Sequence, residues 1–172
     1  GSGRYPLPPA DDETSALAVW EADLAKVREE AAAAFSKQQM AAQESDRTHT
    51  EIQGWLRDLG HALGFDVWIA ANDRGRALGD AKLGDGCVAS LPEPLASAAG
   101  AEMVRLIDVL WLNKGGAAVA AAFEVEHSTS IYSGIMRMLD LALGAGGESV
   151  KGLFLVAPDN REEEVRAQLS RP

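Results

Sequence analysis

The chain changes hydrophobic period twice. Over residues 11–45 there is no glycine or proline, and Leu17, Trp20, Leu24, Val27, Ala31, Ala34 and Phe35 recur at spacings of three, four and one. That spacing lays apolar groups along one stripe of a long helix with a partial heptad register. The stripe is thin and rich in alanine, so three arrangements stay open: packing on the rest of the chain, a helical hairpin, or pairing with another chain. Ile52, Leu56, Leu59 and Leu63 follow at i, i+4, i+7 and i+11, which predicts a second helix from near Thr48 to a stop at Gly64.

Beyond Gly64 the runs shorten and become strand-like. Residues 65–71 are bulky and apolar and predict a strand. Residues 72–100 hold many small residues, Gly and Pro, and predict a long irregular loop or short hairpin of the kind that serves function. Residues 103–112 predict a strand, 113–116 a two-glycine turn, and 117–126 the returning strand of a hairpin. A helix is expected over 130–143, with Ile131, Ile135, Met138 and Ala142 on one face. The wholly apolar 153–157 reads as a strand at the covered centre of a sheet. A charged helix over 160–169 closes the pattern, and there is no internal repeat. A hairpin joined to a strand-helix-strand crossover predicts an α/β fold with a mixed sheet and helices on both faces. The expected division is a leader over 1–10, the long amphipathic helix over 11–46 as linker or dimerisation element, and the α/β domain over 47–172. Gly1-Ser2-Gly3 reads as a cleaved-tag scar, and the chain as a part of a larger protein.

Composition narrows the setting. At 47% hydrophobic and 24% charged over 172 residues, the chain can bury a sizeable core. A lone Cys87 excludes an internal disulfide and, with no signal peptide or apolar run of membrane length, leads to the expectation of a cytoplasmic protein without membrane contact. The net charge of -10 argues against bulk attraction to nucleic acid, but not against an enzyme acting on it whose basic surface lies in other domains.

The candidate chemistry lies in two strands carrying carboxylates where apolar residues are expected. Asp108 interrupts the row Val104, Leu106, Leu110. Glu124 and Glu126 follow an apolar run and share one face by alternation. The hairpin brings Asp108 toward Glu124. Buried carboxylates are costly unless paired or ligating, and three together repel one another and raise one another's pKa. Mg²⁺ or Mn²⁺ would neutralise them and would suit phosphodiester hydrolysis, with Glu126 positioning or deprotonating the attacking water. For an isolated Glu-x-Glu, strand-end acids that are solvated, or paired with Arg105 or Arg137, would be the better reading. The apolar context turns the balance toward a site. Ser128, Thr129 or Ser130 would cap the following helix, whose N-terminus favours phosphate. Arg137 either clamps phosphate or pairs with Asp140.

Other candidates are weaker. His127 faces away from the acids, and His49 and His61 lack metal-ligand spacing, so packing or surface roles are expected. Trp68 and Trp111 read as core, Cys87 as inert, and residues 144–147 as no phosphate loop because they follow a helix. The Asp73-Arg74-Gly75-Arg76 run is a modest candidate for nucleic-acid contact.

With Ile107-Asp108 on one strand, Glu124-Val125-Glu126 on the next, then a helix and an apolar strand, the chain resembles the PD-(D/E)XK, or restriction-endonuclease-like, superfamily. The likeness covers about two-thirds of the chain, over residues 48–157. Residues 124–138 also resemble nuclease-type domains of bacterial restriction or defence proteins. The resemblance implies a restriction-endonuclease-like αβββαβ core, a Mg²⁺ or Mn²⁺ cofactor and DNA as substrate. It implies that Asp108 and Glu124 bind the metal and that Glu51, on the first core helix, is an accessory ligand. Read from its neighbours alone, Glu51 instead completes a capping box over residues 48–51. Glu126 departs from the pattern. It stands where the superfamily usually has a lysine that orients the attacking water and offsets charge. A glutamate supplies no positive charge, although it can bind a second metal or act as base, and some restriction enzymes of the superfamily carry it. Two readings follow: a metal-dependent endonuclease domain of a restriction or anti-phage protein, or a catalytically inactive nuclease fold serving nucleic-acid binding or assembly, with a possible homodimer through the long helix.

Overall fold

The computed structural model describes residues 10–116, 118–127, 131–144 and 150–170, with side chains from residue 18 onward. Two compact units divide between Glu44 and Ser45. Helix α1 runs unbroken over Ala10–Ala62, so the expected second helix start near Thr48 does not exist. The polar residues from Ser45 to Thr48 resemble a start signal, but a helix stops only where backbone geometry requires it, and no glycine or proline falls between Asp11 and Gln53. Thr50 instead donates its hydroxyl to the Asp46 carbonyl four residues back at 2.9 Å, a bond of the helix interior. The capping box over residues 48–51 is therefore absent. The stop at Gly64 is as expected: its φ is 87°, and the Phe65 amide closes the helix on the Gly60 carbonyl at 3.0 Å. In the first unit Trp20, Val27 and Phe35 are exposed.

The second unit is a mixed α/β fold. Strand β1 (Asp66–Ile69) is followed by a small hairpin, β2 (Ala77–Leu78) and β3 (Ala81–Lys82), within the segment read as loop or hairpin. Two short helices come next, α2 (Glu93–Ala96) and α3 (Ala101–Val104). Strands β4 (Val109–Leu112) and β5 (Val119–Val125) form the expected hairpin, α4 (Ile131–Leu143) crosses over, and β6 (Gly152–Val156) returns parallel to β5. A 3₁₀ turn at Asp159–Arg161 leads into α5 (Glu162–Leu169). The main sheet has the order β1-β4-β5-β6, with β1 antiparallel to β4.

Two expectations are corrected. The predicted strand over 103–112 begins only at Val109, because Gly100, at φ 83°, starts α3. Val104 and Ile107 are buried while Met103 and Leu106 are exposed, which is helical rather than alternating burial. The apolar strand expected at the sheet centre, β6, is at its edge, with Leu153 and Phe154 about half exposed. Its apolar character serves stacking along the sheet surface: the Phe154 ring lies 5.0 Å from that of Phe123, and Phe123 lies 4.6 Å from Trp111.

Alternation along the strands builds two cores. Trp68, Leu110, Leu112 and Ala122 face one side with Val104, Ile107 and Leu141 of the helical layer. Val67, Ile69, Val109, Ala121 and Phe123 face the other, with Leu56 of α1 packed against them. Val119 belongs to the first side although Ala121, two residues on, belongs to the second. A register shift between Trp111 and Leu112 accounts for this, since one extra residue reverses the facing. Among the described residues no helix is long and apolar enough to cross a membrane.

Candidate functional site

Asp108 occupies the position just before β4. The pairing of Val109 with Phe123 sets it beside Glu124, one step further along the ladder. The Val125 amide donates to Asp108 Oδ2 at 2.7 Å, so the carboxylate takes the place of a strand carbonyl where the ladder has ended. This charge-assisted bond fixes the group and leaves Oδ1 turned to the end of the sheet.

Glu124 and Glu126 are both buried, at 0% and 2% exposure. They face α4 as alternation requires: a Cβ built on Gly134 would lie 2.6 Å from Glu126 Oε1 and 3.3 Å from the Glu124 Cβ. A helix carrying glycine there can approach the acids closely. One turn on, Arg137 reaches back and donates from Nε and Nη2 to the two Glu124 oxygens at 2.8 and 2.5 Å. Its Nη2 also lies 3.9 Å from Glu126 Oε1. Arg137 thus pairs with the strand acids, as the alternative reading of an isolated Glu-x-Glu has it, and not with Asp140. Burial pushes the Glu124 carboxyl up to about 8, against the pull of Arg137, and the charges of Asp108 and Glu126 add to the rise. Burial thus works against full ionisation of Glu124 in this setting.

On the other side of Asp108 stands a group that the sequence did not single out. His49 Nε2 lies 3.6 Å from Asp108 Oδ1 and 3.8 Å from Asp73 Oδ2. Asp73 is itself held on both oxygens, by Arg76 Nε at 2.7 Å and Gln53 Nε2 at 2.9 Å. Arg76 also pairs with Asp46. Burial alone would lower the His49 pKa, but the two aspartates, Asp108 foremost, outweigh it and raise it to about 9. Burial would raise Asp73, but His49, Gln53 and Arg76 bring it down to about 2. His49 and Gln53 fall at i and i+4 on α1 and so share a helix face. That spacing was the one available signal. Asp73 stood out only as part of the Asp73-Arg74-Gly75-Arg76 run, read as a nucleic-acid contact, and it reaches the group through the turn after β1.

The remaining expected residues are placed as follows. Glu51 sits two positions beyond His49, pairs with Arg47 at 3.9 Å, and is no part of the His49–Asp73–Asp108 group. Ser128, Thr129 and Ser130 lie outside the described residues. His127 Nδ1 is 3.1 Å from the Ser45 hydroxyl. Arg161 donates to the Glu126 carbonyl at 3.2 Å, tying the chain after β6 to the end of β5. Trp68 is buried as expected, and half-buried Trp111 donates its indole N–H to the Leu56 carbonyl at 3.0 Å. Cys87 is half-buried, and burial raises its thiol pKa, away from reactivity.

Comparison with known proteins places this geometry in a family. The profile of the C-terminal domain of the type II restriction enzyme NmeDI matches residues 29–172. The type II restriction enzyme NmeDI of Neisseria meningitidis serogroup C is 35% identical over 131 residues, which is 73% of this chain and 37% of that protein. The chain thus spans little more than a third of that relative's length. No solved structure matches. The chain belongs to the family of the NmeDI C-terminal domain.

Proposed function

We propose that residues 45–172 form a metal-dependent endonuclease domain acting on DNA phosphodiester bonds within a larger restriction protein. The observation that carries this reading is the convergence of Asp108, Glu124 and Glu126 as buried acids at one end of the sheet, with Glu124 displaced upward by burial first and by the charges of its neighbours second. Converging buried carboxylates fit a hard divalent cation, because carboxylate oxygens are the donors that Mg²⁺ and Mn²⁺ take and a cation would favour their ionised form. Asp108 and Glu124 would hold the ion. When bound, it would polarise the phosphate, lower the pKa of a water and offset charge in the transition state.

The chain's own groups supply the rest. The Val125 amide fixes Asp108, so its other oxygen, which faces His49, is presented without rotamer search. Glu126, buried and unable to provide charge, accepts the proton of the attacking water. Arg137 stands between Glu124 and Glu126, where its guanidinium takes over the charge-offsetting role usually given to a lysine at the Glu126 position. Membership of a restriction-enzyme family supports DNA as the substrate. At a net charge of -10, the segments that hold the duplex would come from outside this chain.

The test is direct. With Mg²⁺ or Mn²⁺ the full-length parent protein is expected to nick or cut supercoiled plasmid, and Asp108→Ala to abolish it. Equal inactivity of both on DNA and RNA, with no divalent-ion heat by calorimetry, would end the proposal. The exposed Trp20, Val27 and Phe35 seam favours a second reading, assembly through the first unit. It predicts a concentration-dependent oligomer in sedimentation that Val27→Glu dissolves; a monomer at every concentration would refute it.

A further inference from the structure

His49, Asp73 and Asp108 come from three separate parts of the chain: helix α1, the turn after β1, and the residue before β4. They present one nitrogen and two carboxylate oxygens, all within 4.8 Å of one another. A divalent ion about 2.1 Å from each donor requires donor separations of roughly 3 to 4.2 Å. The separations from His49 Nε2, 3.6 and 3.8 Å, fall inside that range. The group is also built for orientation. Val125 holds the far oxygen of Asp108, and Arg76 holds the far oxygen of Asp73. Bonds of that kind, one shell out, aim ligands in established metal sites.

A second observation is independent of the trio. Gln53 is fully buried, donates its amide N–H to Asp73 Oδ2 at 2.9 Å, and leaves Oε1 of the same amide without a hydrogen-bond partner. Its orientation is fixed by chemistry, because exchanging the amide atoms would set oxygen against carboxylate. A buried amide oxygen without a partner is costly, and a cation beside it removes that cost.

We propose that His49, Asp73 and Asp108 form a divalent-cation site of mixed nitrogen and oxygen type, with Gln53 as its wall, that takes a transition ion such as Mn²⁺, Co²⁺ or Zn²⁺ in preference to Mg²⁺ or Ca²⁺. Imidazole favours the transition ions, whereas Mg²⁺ and Ca²⁺ take oxygen donors. The site shares Asp108 with the proposed hydrolytic centre but does not rest on hydrolysis.

Co²⁺ is the probe, added to the whole chelator-stripped chain and read by its visible absorption. One Co²⁺ per chain is expected. His49→Gln and Asp73→Asn should each weaken binding by roughly tenfold or more, while His61→Gln keeps it. On wild type, Co²⁺ should broaden the ring resonances of His49 and spare those of His61, which needs no variant to fold. Mg²⁺ in large excess should fail to displace Co²⁺. The proposal is overturned if no Co²⁺ is taken up, if uptake ignores both substitutions in folded protein, if His49 signals stay sharp at saturation, or if equimolar Mg²⁺ displaces the ion. Plasmid nicking separates the two ideas. Co²⁺ held through His49 in a protein that never cuts leaves this site standing and removes the nuclease reading; cutting without His49-dependent uptake does the reverse.

Discussion

At the scale of single residues, the pair Glu124–Arg137 sets the terms. Neither group is stable alone in that position, because a buried charge without its partner keeps its desolvation cost and loses the attraction. Above pH 8, where Glu124 is ionised, Arg137→Met is therefore expected to lower stability by about 3 kcal/mol in urea unfolding, and Glu124→Gln in that background to recover part of the loss. An unchanged midpoint for Arg137→Met would mean that water reaches Glu124. Gly134 gives a sharper separation of fold from chemistry. Alanine there gains helix propensity of up to about 1 kcal/mol, yet its Cβ meets Glu126 Oε1 at 2.6 Å. That oxygen ends a flexible side chain, so the fold adapts while the carboxylate is displaced. Gly134→Ala should leave the melting temperature within a few degrees and cut plasmid nicking by on the order of a hundredfold. Full nicking would remove Glu126 from the proposed chemistry. The three acids were legible in the sequence because each stands out against an apolar strand. His49 and Asp73 were not, because a histidine on a helix and an aspartate in a turn are commonplace until the fold sets them against Asp108.

At the scale of elements, sequence pattern identified most helices and strands but misplaced some ends and positions. Periodicity shows which residues face inward, and so β1, β4, β5 and α4 were readable. It carries no information on whether a strand is central or at an edge, which is why wholly apolar β6 was assigned to the middle. Start signals misled in α1, where Thr48 and its neighbours look like a cap but the preceding turn never ends. The approach of α1 to the sheet rests on Gly60, whose added Cβ would lie 2.5 Å from Trp111 Nε1 and 2.8 Å from Val67 Cγ2. Trp111 is already bonded to the Leu56 carbonyl one turn earlier, so it cannot yield without losing that bond. Gly60→Ala should thus destabilise by about 1–3 kcal/mol despite its better helix propensity, since overpacking outweighs it. A melting temperature equal to wild type or above it would show that helix and sheet have room to part.

At the scale of the whole molecule, the buried charges set a pH window for stability. Asp73 falls from 3.8 in the unfolded chain to about 2 in the fold, so its contribution is present above about 4 and is lost as pH drops toward 2. His49 rises from 6.5 to about 9, so its contribution is complete below 6.5 and is lost as pH climbs through 9. Glu124 has the opposite sense to Asp73. Raised from 4.5 to about 8, it favours the fold when protonated, and stability declines as pH rises across that interval. Two groups therefore weaken the fold on the alkaline side and one on the acid side. In chelator, urea unfolding should show greatest stability near pH 4, with a fall that begins above about 4.5, led by Glu124, and is steepest between about 6.5 and 8, where His49 adds to it. His49→Gln should flatten the upper part of that fall and leave the part below 6.5 in place, whereas Glu124→Gln should do the reverse. A divalent ion held by these acids would counter the alkaline decline, because it stabilises the ionised carboxylates and binds the neutral imidazole. A stability profile that keeps rising from pH 5 to 8 in chelator would mean that the site acids are already solvated, and would undo the electrostatic account of both metal proposals together.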